Sequence, residues 1–290
     1  MLELPRRAAR AILPVPFKNW LHEVVNSLPH LKQRSALAVL RYRLFDLSRK
    51  DTVEKLGNYQ IRINDGPNFY VLYKDLFHRQ IYHFESSRPD PYVLDCGSNI
   101  GASILYFKQL YPQARIVGFE PDPTILPYLQ ENIQQNQLKN VTLVNAGVAA
   151  TEGTLTLYSD AKYGSTLSDT SSAEAQTKMI EYKVPTVRLR DYLTEPVDFV
   201  KMNIEGAEWE VLADSADRLD CVRELIIEYH HLPGLPRTLH KILELLDQHG
   251  FEYLINDFDR ETNPEVEPPF HISPQTRYFL LIYARRIVND

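Results

Sequence analysis

The chain has 290 residues, of which 44% are hydrophobic and 24% charged, a composition typical of a globular protein. Its net charge is −6, yet residues 1–50 carry 10 Lys and Arg against 3 Asp and Glu, whereas the remainder carries 22 against 35. This acidic body argues against nucleic acid as a substrate, because phosphate binding requires a basic surface. The basic first segment is either a solvated helix face or a contact for an anionic surface or partner.

Cysteine usage and hydropathy limit the cellular setting. Cys96 and Cys221 lie far apart without metal-ligand spacing, which favours two unpaired thiols in a reducing compartment and hence a cytoplasmic location. No run of 18 apolar residues occurs, so we predict no transmembrane segment. The arginines near the start are not followed by an apolar segment, so a signal peptide is not expected. The oligomeric state stays open.

The first part of the chain predicts a helical extension followed by a hairpin. Leucines recur at helical spacing over residues 37–47, and we assign residues 1–57 to an N-terminal helical cap and residues 58–290 to the main domain. Residues 59–63 alternate as a strand does. The turn-forming residues 64–67 follow, and residues 69–73 are predicted to return as the second strand of the hairpin.

From residue 93 onward, strand and helix patterns alternate, which predicts a mostly parallel sheet covered by helices on both faces. Strands are predicted at residues 93–96, 115–119, 141–145, 198–202, 224–228, 251–255 and 277–284. Helices are predicted at residues 102–111, 123–136, from 205 onward and at 238–249. Two polar stretches, residues 160–178 and 263–274, are predicted as long loops.

The stretch most indicative of function joins the first two core strands. Asp95 ends the first strand, Gly97 and Gly101 shape the turn after it, and Glu120 ends the second strand. This order is typical of units that bind nucleosides at the carboxyl ends of parallel strands. A dinucleotide site requires the pattern G-x-G-x-x-G, whereas these two glycines are four apart with bulky residues between them. The carboxylate would repel a pyrophosphate, but it suits S-adenosylmethionine (SAM), which carries an ammonium, a sulfonium and no phosphate.

Each residue around this turn has an expected contact with SAM. Glu120 is expected to accept hydrogen bonds from the ribose hydroxyls, Pro121 to flank the adenine, and Asp95 to bind the methionine ammonium directly or through water. Either Asn145 or the backbone of residues 146–148 would hold the adenine. The candidate cofactor-binding residues are Asp95, Gly97, Ser98, Asn99, Gly101, Glu120, Pro121, Asn145, Ala146 and Gly147.

Three stretches, residues 93–101, 118–121 and 199–208, resemble the FkbM family of class I (Rossmann-like) methyltransferases. The third has the family form V-K-[ILM]-D-[VI]-E-G-A-E, except that Asn203 stands where the family has Asp. The resemblance covers residues 59–285. It implies a doubly wound, mostly parallel seven-stranded sheet whose last strand is antiparallel, and methyl transfer from SAM.

The resemblance also implies where the acceptor and the methyl group meet. Asn203 and Lys201 share a strand face there, and Lys201 is either a catalyst or a buried partner for Glu205 or Glu228. Glu205 is expected to begin the next helix, where it either acts in catalysis or only stabilises the positive helix end. On the neighbouring strand, Glu228 and His230 share a face, which predicts a Glu–His pair with His230 as the base.

These observations predict a SAM-dependent O-methyltransferase that acts on a hydroxyl of a small molecule or glycan. The alternatives are a SAM-binding protein with lost or altered catalysis, a methyltransferase acting on a protein, and a NAD-dependent oxidoreductase. No metal ligand is assigned. A divalent ion would suit the family Asp together with Glu205 and a neighbouring His, but Asn203 weakens that set, so a metal ion is left open and not favoured.

Overall fold

The computed structural model describes residues 51–159, 165–166, 180–256, 272–273 and 276–286. The chain divides into two compact units, Met1–Ser48 and Arg49–Asp290, and every described residue belongs to the second unit. The predicted N-terminal helices and most of the two predicted polar loops lie outside the described residues. No helix in the described ranges has the length and apolar character needed to cross a bilayer.

The second unit is built around a seven-stranded sheet. Its strands in spatial order are β12 (Phe251–Asn256), β13 (Tyr278–Arg286), β11 (Val222–His231), β10 (Val197–Met202), β3 (Tyr92–Cys96), β4 (Arg115–Phe119) and β5 (Val141–Val144). Neighbouring strands are parallel except for the two pairs that involve β13, which lies antiparallel between β11 and β12. This order confirms the predicted doubly wound fold class. The chain reverses its direction of winding between β3 and β10, so the carboxyl ends of these strands border the crevice where such sheets bind ligands.

The strands and helices of the core follow the predicted pattern with shifted boundaries. Every residue of β3 and β10 is buried, which is typical of central parallel strands covered on both faces. The helices are α2 (Ala102–Leu110), α3 (Leu126–Gln135), α4 (Glu208–Asp214) and α5 (Leu239–Gln248). The prediction that a helix begins at Glu205 is wrong. Glu205 and Gly206 have φ angles of 55° and 102°, a left-handed conformation that a right-handed helix cannot include.

The predicted pairing of residues 59–63 with residues 69–73 is wrong, and a different hairpin forms. Strand β2 (Tyr59–Ile63) pairs antiparallel with β1 (Thr52–Leu56), which lies inside the segment predicted as helical, and the predicted strand at residues 69–73 is instead part of helix α1 (Gly66–Tyr73). The side chain of Asp65 accepts a hydrogen bond from the backbone N–H of Asn68 at 3.0 Å and so caps α1. A proline in the first turn also favours a helix. One turn of π-helix, Lys74–Arg79, continues α1.

Asn132 of α3 joins the hairpin to the glycine turn. This side chain is fully buried, and its Nδ2 donates to the carbonyl oxygens of Arg62 at 2.9 Å and Ile100 at 2.8 Å. Its Oδ1 accepts a hydrogen bond from the backbone N–H of Arg62. The hairpin is therefore held against the turn that follows β3.

A second, four-stranded sheet was not predicted. Its order is β6 (Gly147–Ala149), β9 (Ile180–Arg188), β7 (Gly153–Ser159) and β8 (Ser165–Thr166). Strand β7 consists mostly of exposed or half-buried residues and is rich in Thr and Ser, so it lacks the apolar run that identified the core strands. Because β6 begins shortly after β5 ends, this sheet lies next to the carboxyl ends of the main one.

Both cysteines are free thiols, as predicted. Cys96 is buried in β3, and burial raises the pKa of its thiol far above the usual value. A thiol that stays protonated is a poor nucleophile, so Cys96 serves packing.

Candidate active site

A cavity of about 200 Å³ lies at the carboxyl ends of β3, β4 and β10. It is several times larger than the roughly 30 Å³ that one water molecule occupies, so it has room for part of a small ligand. The predicted site residues that line it are Gly97, Ser98, Asn99, Glu120, Pro121, Ala146, Gly147, Lys201, Asn203 and Glu205. The predicted site residues that are not among its lining are Asp95, Gly101, Asn145, Glu228 and His230.

The glycine turn after β3 lies tightly against the end of β10. Gly97 has a φ of 91°, and a Cβ added there would lie 2.1 Å from the carbonyl oxygen of Asn203. Gly101 has a φ of 88° and precedes α2, where an added Cβ would lie 2.8 Å from Leu129. Gly97 therefore permits the close approach that forms the cavity floor, whereas Gly101 serves the packing of helix α3.

Glu120 directly follows β4 and lines the cavity. Its Oε1 accepts a hydrogen bond from the backbone N–H of Asp122 at 2.9 Å, and its Oε2 accepts one from the backbone N–H of Asn99 at 2.7 Å. Burial raises the pKa of Glu120 to about 7, although these two hydrogen bonds lower it. Each carboxylate oxygen has further acceptor capacity, which leaves Glu120 able to accept hydrogen bonds from a bound ligand.

Asp95 and Lys201 pair with each other, a contact that was predicted for neither; binding of the methionine ammonium by Asp95 through water stays a prediction. Asp95 is fully buried; its Oδ2 accepts a hydrogen bond from Ser103 at 2.6 Å, and its Oδ1 lies 3.2 Å from Lys201 Nζ. Lys201 also donates to the carbonyl oxygen of Gly97. Lys201 is thus the buried partner of Asp95 rather than of Glu205 or Glu228, and Asp95 has no direct access to a ligand. The two residues lie opposite each other in the parallel pairing of β10 with β3.

The predicted pair of His230 and Glu228 does not form. His230 Nδ1 lies 3.0 Å from Glu208 Oε1, and its Nε2 lies 3.6 Å from Glu205 Oε2. Burial alone lowers the pKa of His230, but the charges of Glu205 and Glu208 and the hydrogen bond to Glu208 outweigh it and raise the pKa to about 10. The ring is therefore an imidazolium at neutral pH and has no lone pair with which to act as the predicted base.

Glu228 is instead held by two residues that line the cavity. Its Oε2 accepts a hydrogen bond from Asn203 Nδ2 at 2.8 Å, and its Oε1 accepts one from the hydroxyl of Tyr82. Burial raises the pKa of Glu228, while Lys201 and the hydrogen bond from Tyr82 lower it. The buried Oδ1 of Asn203 has no hydrogen-bond partner within the described part of the chain. An unsatisfied acceptor beside the cavity calls for a donor on a bound molecule.

One wall of the cavity comes from residues that the sequence analysis did not identify. It consists of Asn68 and Leu72 on α1, Leu76 in the π-helical turn, and Tyr82; Leu157 of β7 also lines the cavity. The capping pattern of Asp65 followed by proline was the available signal for α1. No sequence signal placed these side chains beside the glycine turn.

The residues considered for a divalent ion do not form a metal site. Within the described ranges, no group of three or more His, Cys, Asp and Glu residues is arranged to hold a metal ion. Both ring nitrogens of His230 face carboxylates, and the amide nitrogen of Asn203 faces Glu228. The side chains that were considered as metal ligands therefore already contact other groups of the protein.

Comparison with known proteins identifies relatives of the chain. Residues 95–253 match the family model described as the methyltransferase FkbM domain. The chain is 29% identical over 205 residues to methyltransferase sdnD of Sordaria araneosa, covering 60% of this chain and 79% of that protein. It is 30% identical over 207 residues to 2-O-methyltransferase NoeI of Sinorhizobium fredii, covering 65% and 83% respectively. It is 26% identical over 238 residues to 31-O-demethyl-FK506 methyltransferase FkbM of Streptomyces tacrolimicus, covering 69% and 90%.

Proposed function

Because the chain belongs to the FkbM methyltransferase family, we propose that it transfers the methyl group of SAM to a hydroxyl of a small molecule or glycan. The observation that carries this proposal is the cavity at the switch point of the sheet, where the glycine turn and Glu120 meet Asn203. Two relatives bear names that specify an oxygen as the methylated atom.

The charges around the cavity suit a cationic cofactor. Among the described residues that line it, Lys201 is the single cation, and Asp95 neutralises it. The carboxyl groups of Glu120 and Glu205 also line the cavity. Bound SAM would supply a methyl group on a positively charged sulfur, and opposite charge nearby favours such a ligand.

The lining residues divide into a cofactor side and an acceptor side. Glu120 would bind the ribose hydroxyls, and Pro121, Ala146 and Gly147 would flank the adenine. Asn203 and Glu205, across the cavity, would face the acceptor. Because the sulfonium is already activated, the contribution of these residues is mainly alignment of the acceptor oxygen with the methyl carbon.

Glu120→Ala should weaken SAM binding by about 1.5–3 kcal/mol, the usual value of hydrogen bonds to a charged group. This corresponds to a roughly ten- to hundredfold higher dissociation constant, measurable by calorimetry. Glu195→Ala serves as the control. It removes an exposed carboxylate that pairs with Arg115, at the opposite end of β4 from the cavity, and should leave the dissociation constant unchanged. An unchanged constant in folded Glu120→Ala would place the ribose elsewhere.

The SAM affinity of the wild-type protein should fall as the pH decreases below about 7. The pKa of Glu120 is raised to about 7, so protons compete with the ribose for the carboxylate in that range. Calorimetry at pH 6, 7 and 8 would show the dissociation constant rising toward the acid side, and Glu120→Gln should remove most of this dependence. A wild-type dissociation constant independent of pH would argue against ionised Glu120 as the ribose ligand.

The acceptor class can be tested with SAM labelled in the methyl group and a panel of sugars and alcohols. Each acceptor is paired with its deoxy or already methylated analogue. We expect label in at least one hydroxylated acceptor and none in the analogue in which the hydroxyl that receives the methyl group is missing or already methylated. SAM binding without transfer to any acceptor would favour the SAM-binding alternative. Label appearing in added protein would favour a protein acceptor, and binding of NAD but not SAM would favour an oxidoreductase.

A further inference from the structure

Glu228 is hydrogen-bonded to two residues of the cavity wall. Tyr82 and Asn203 line the cavity, whereas Glu228 is not part of the lining. Each of them donates a hydrogen bond to a different oxygen of the Glu228 carboxylate. These two side chains therefore connect the Glu228 carboxylate to the cavity through hydrogen bonds.

We propose that Tyr82 and Glu228 form a proton relay that removes the proton of the acceptor hydroxyl, and that Asn203 keeps Glu228 ionised for this purpose. The proposal rests on the proposed function, because it supplies the base that methylation of a hydroxyl requires. It assigns Tyr82 as the group that touches the acceptor and Glu228 as the final proton acceptor.

The relay conserves atoms and charge. The acceptor oxygen forms a bond to the methyl carbon while the carbon–sulfur bond breaks, and the electron pair of that bond stays on sulfur. The acceptor proton moves to the hydroxyl oxygen of Tyr82, and the proton that Tyr82 held moves to Glu228 Oε1. Tyr82 is neutral before and after the step, and Glu228 changes from carboxylate to carboxylic acid, which later releases its proton to water.

The chemistry of the two wall residues decides which of them relays the proton. A tyrosine hydroxyl can donate and accept at the same time, whereas the amide nitrogen of Asn203 only donates. Burial and the neighbouring Glu228 raise the pKa of Tyr82 well above its usual value, so the hydroxyl stays protonated. Tyr82 thus passes a proton on without holding a negative charge.

The contact with Asn203 also favours the ionised form of the buried Glu228 carboxylate. The Asn203 amide donates to Glu228 at 2.8 Å, and hydrogen bonding to a carboxylate favours the charged form. An aspartate at this position would place a second carboxylate against Glu228, and two such groups share a proton. The residue that departs from the family pattern is therefore the one that suits this relay.

Other charged groups near Tyr82 and Glu228 also shift the pKa values of these two residues, some upward and some downward. Lys201 and His230 lower the pKa of Glu228, whereas burial and Glu205 raise it. Asp95 and Asp75 act on Tyr82 and raise its pKa further. A raised pKa at Glu228 brings the carboxyl group closer to neutral pH, where a general base is most effective.

The first test is the rate of a single turnover in the full-length protein with an acceptor found in the panel. Tyr82→Phe should lower this rate by roughly 10²-fold, the usual contribution of a general base, while the SAM dissociation constant changes less than about twofold. Tyr106→Phe is the matched control, because it also removes a buried tyrosine hydroxyl but lies outside the cavity lining. A Tyr82→Phe protein that keeps the wild-type rate would overturn the relay.

The second test needs no acceptor. Carbon NMR of protein labelled at the glutamate carboxyl groups follows the titration of Glu228, whose signal is assigned by its loss in Glu228→Gln. Asn203→Asp should raise the apparent pKa of Glu228 by about one unit or more, since a second carboxylate then adjoins it. Tyr82→Phe should also raise it through loss of a hydrogen bond. An unchanged pKa in both variants would refute the coupling.

The two tests separate the relay from the proposed function. With EDTA present to exclude metal ions, the acidic limb of the pH–rate profile of Asn203→Asp should shift to higher pH, by the same amount as the NMR titration of Glu228. A rate profile that does not follow the NMR shift would overturn Glu228 as the proton acceptor. If the NMR shifts appear but no hydroxyl is methylated, the proposed function fails while the hydrogen-bonded pair stands.

Discussion

His230→Ala is expected to lower the free energy of unfolding by about 3–5 kcal/mol, the usual cost of removing one partner of a buried ion pair. The buried carboxylate of Glu208 would lose the imidazolium that lies 3.0 Å away. Urea unfolding followed by circular dichroism at pH 6.5 measures the loss. His240→Ala removes an exposed imidazole and should change the stability by no more than about 0.5 kcal/mol.

The pH dependence of this effect has a defined sign. The pKa of His230 is about 10 in the folded protein against 6.5 as the ordinary value, so the unfolded state loses its proton first as the pH rises. The contribution of His230 to stability is full below pH 6.5 and is lost as the pH rises toward 10. The stability difference between wild type and His230→Ala should narrow over this range, and a constant difference would show that the ring is not an imidazolium.

Gly97→Ala should reduce SAM affinity by more than about a hundredfold and cost more than about 4 kcal/mol of stability, a loss reserved for severe disruptions. The added Cβ would lie 2.1 Å from a backbone oxygen, and no side-chain rotation can relieve a contact with the main chain. Either β10 or the glycine turn must move, and both form the cavity. Calorimetry with SAM and urea unfolding measure the two effects.

A second glycine separates this collision from backbone strain. Gly234 has a φ of 82°, close to the 91° of Gly97, but a Cβ there would meet nothing within 4 Å. Gly234→Ala should therefore cost only the roughly 1–2 kcal/mol of a left-handed conformation. Equal losses in the two variants would mean that the approach of Gly97 to Asn203 is not what the glycine provides.

The fold was largely predictable because it depends on local patterns. The central strands are uniformly buried and mostly apolar, and the carboxylates Asp95 and Glu120 lie at or just past the ends of two strands. Helix α1 was not predicted because the same residue types favour both a turn and the start of a capped helix. The hydrogen bond from the backbone N–H of Asn68 to Asp65 identifies the helix start. The strands of the second sheet were missed because they are too polar to stand out from loops.

The partners of charged side chains were less predictable than their positions. Strand alternation places His230 and Glu228 on one face of the strand. It cannot reveal that the imidazole of His230 is hydrogen-bonded to Glu208, which lies on a separate helix. The pair of Lys201 and Asp95 could have been predicted, because the predicted strand order puts β10 beside β3 and the strand register places the two residues opposite each other. Pairings between helix and strand depend on packing in three dimensions, which periodicity does not encode.

The two sides of the cavity come from different parts of the chain. The cavity wall that includes Leu72 and Tyr82 precedes the segment that matches the family model, whereas the glycine turn and Glu120 lie within that segment. Asn132 ties the hairpin before α1 to the glycine turn without entering the cavity. Substitutions at Asn68 and Leu72 of α1 can therefore change the shape of that wall while the glycine turn and Glu120 stay intact. Variation in one short helix can thus alter the surface that an incoming molecule meets, while the residues behind that surface are conserved.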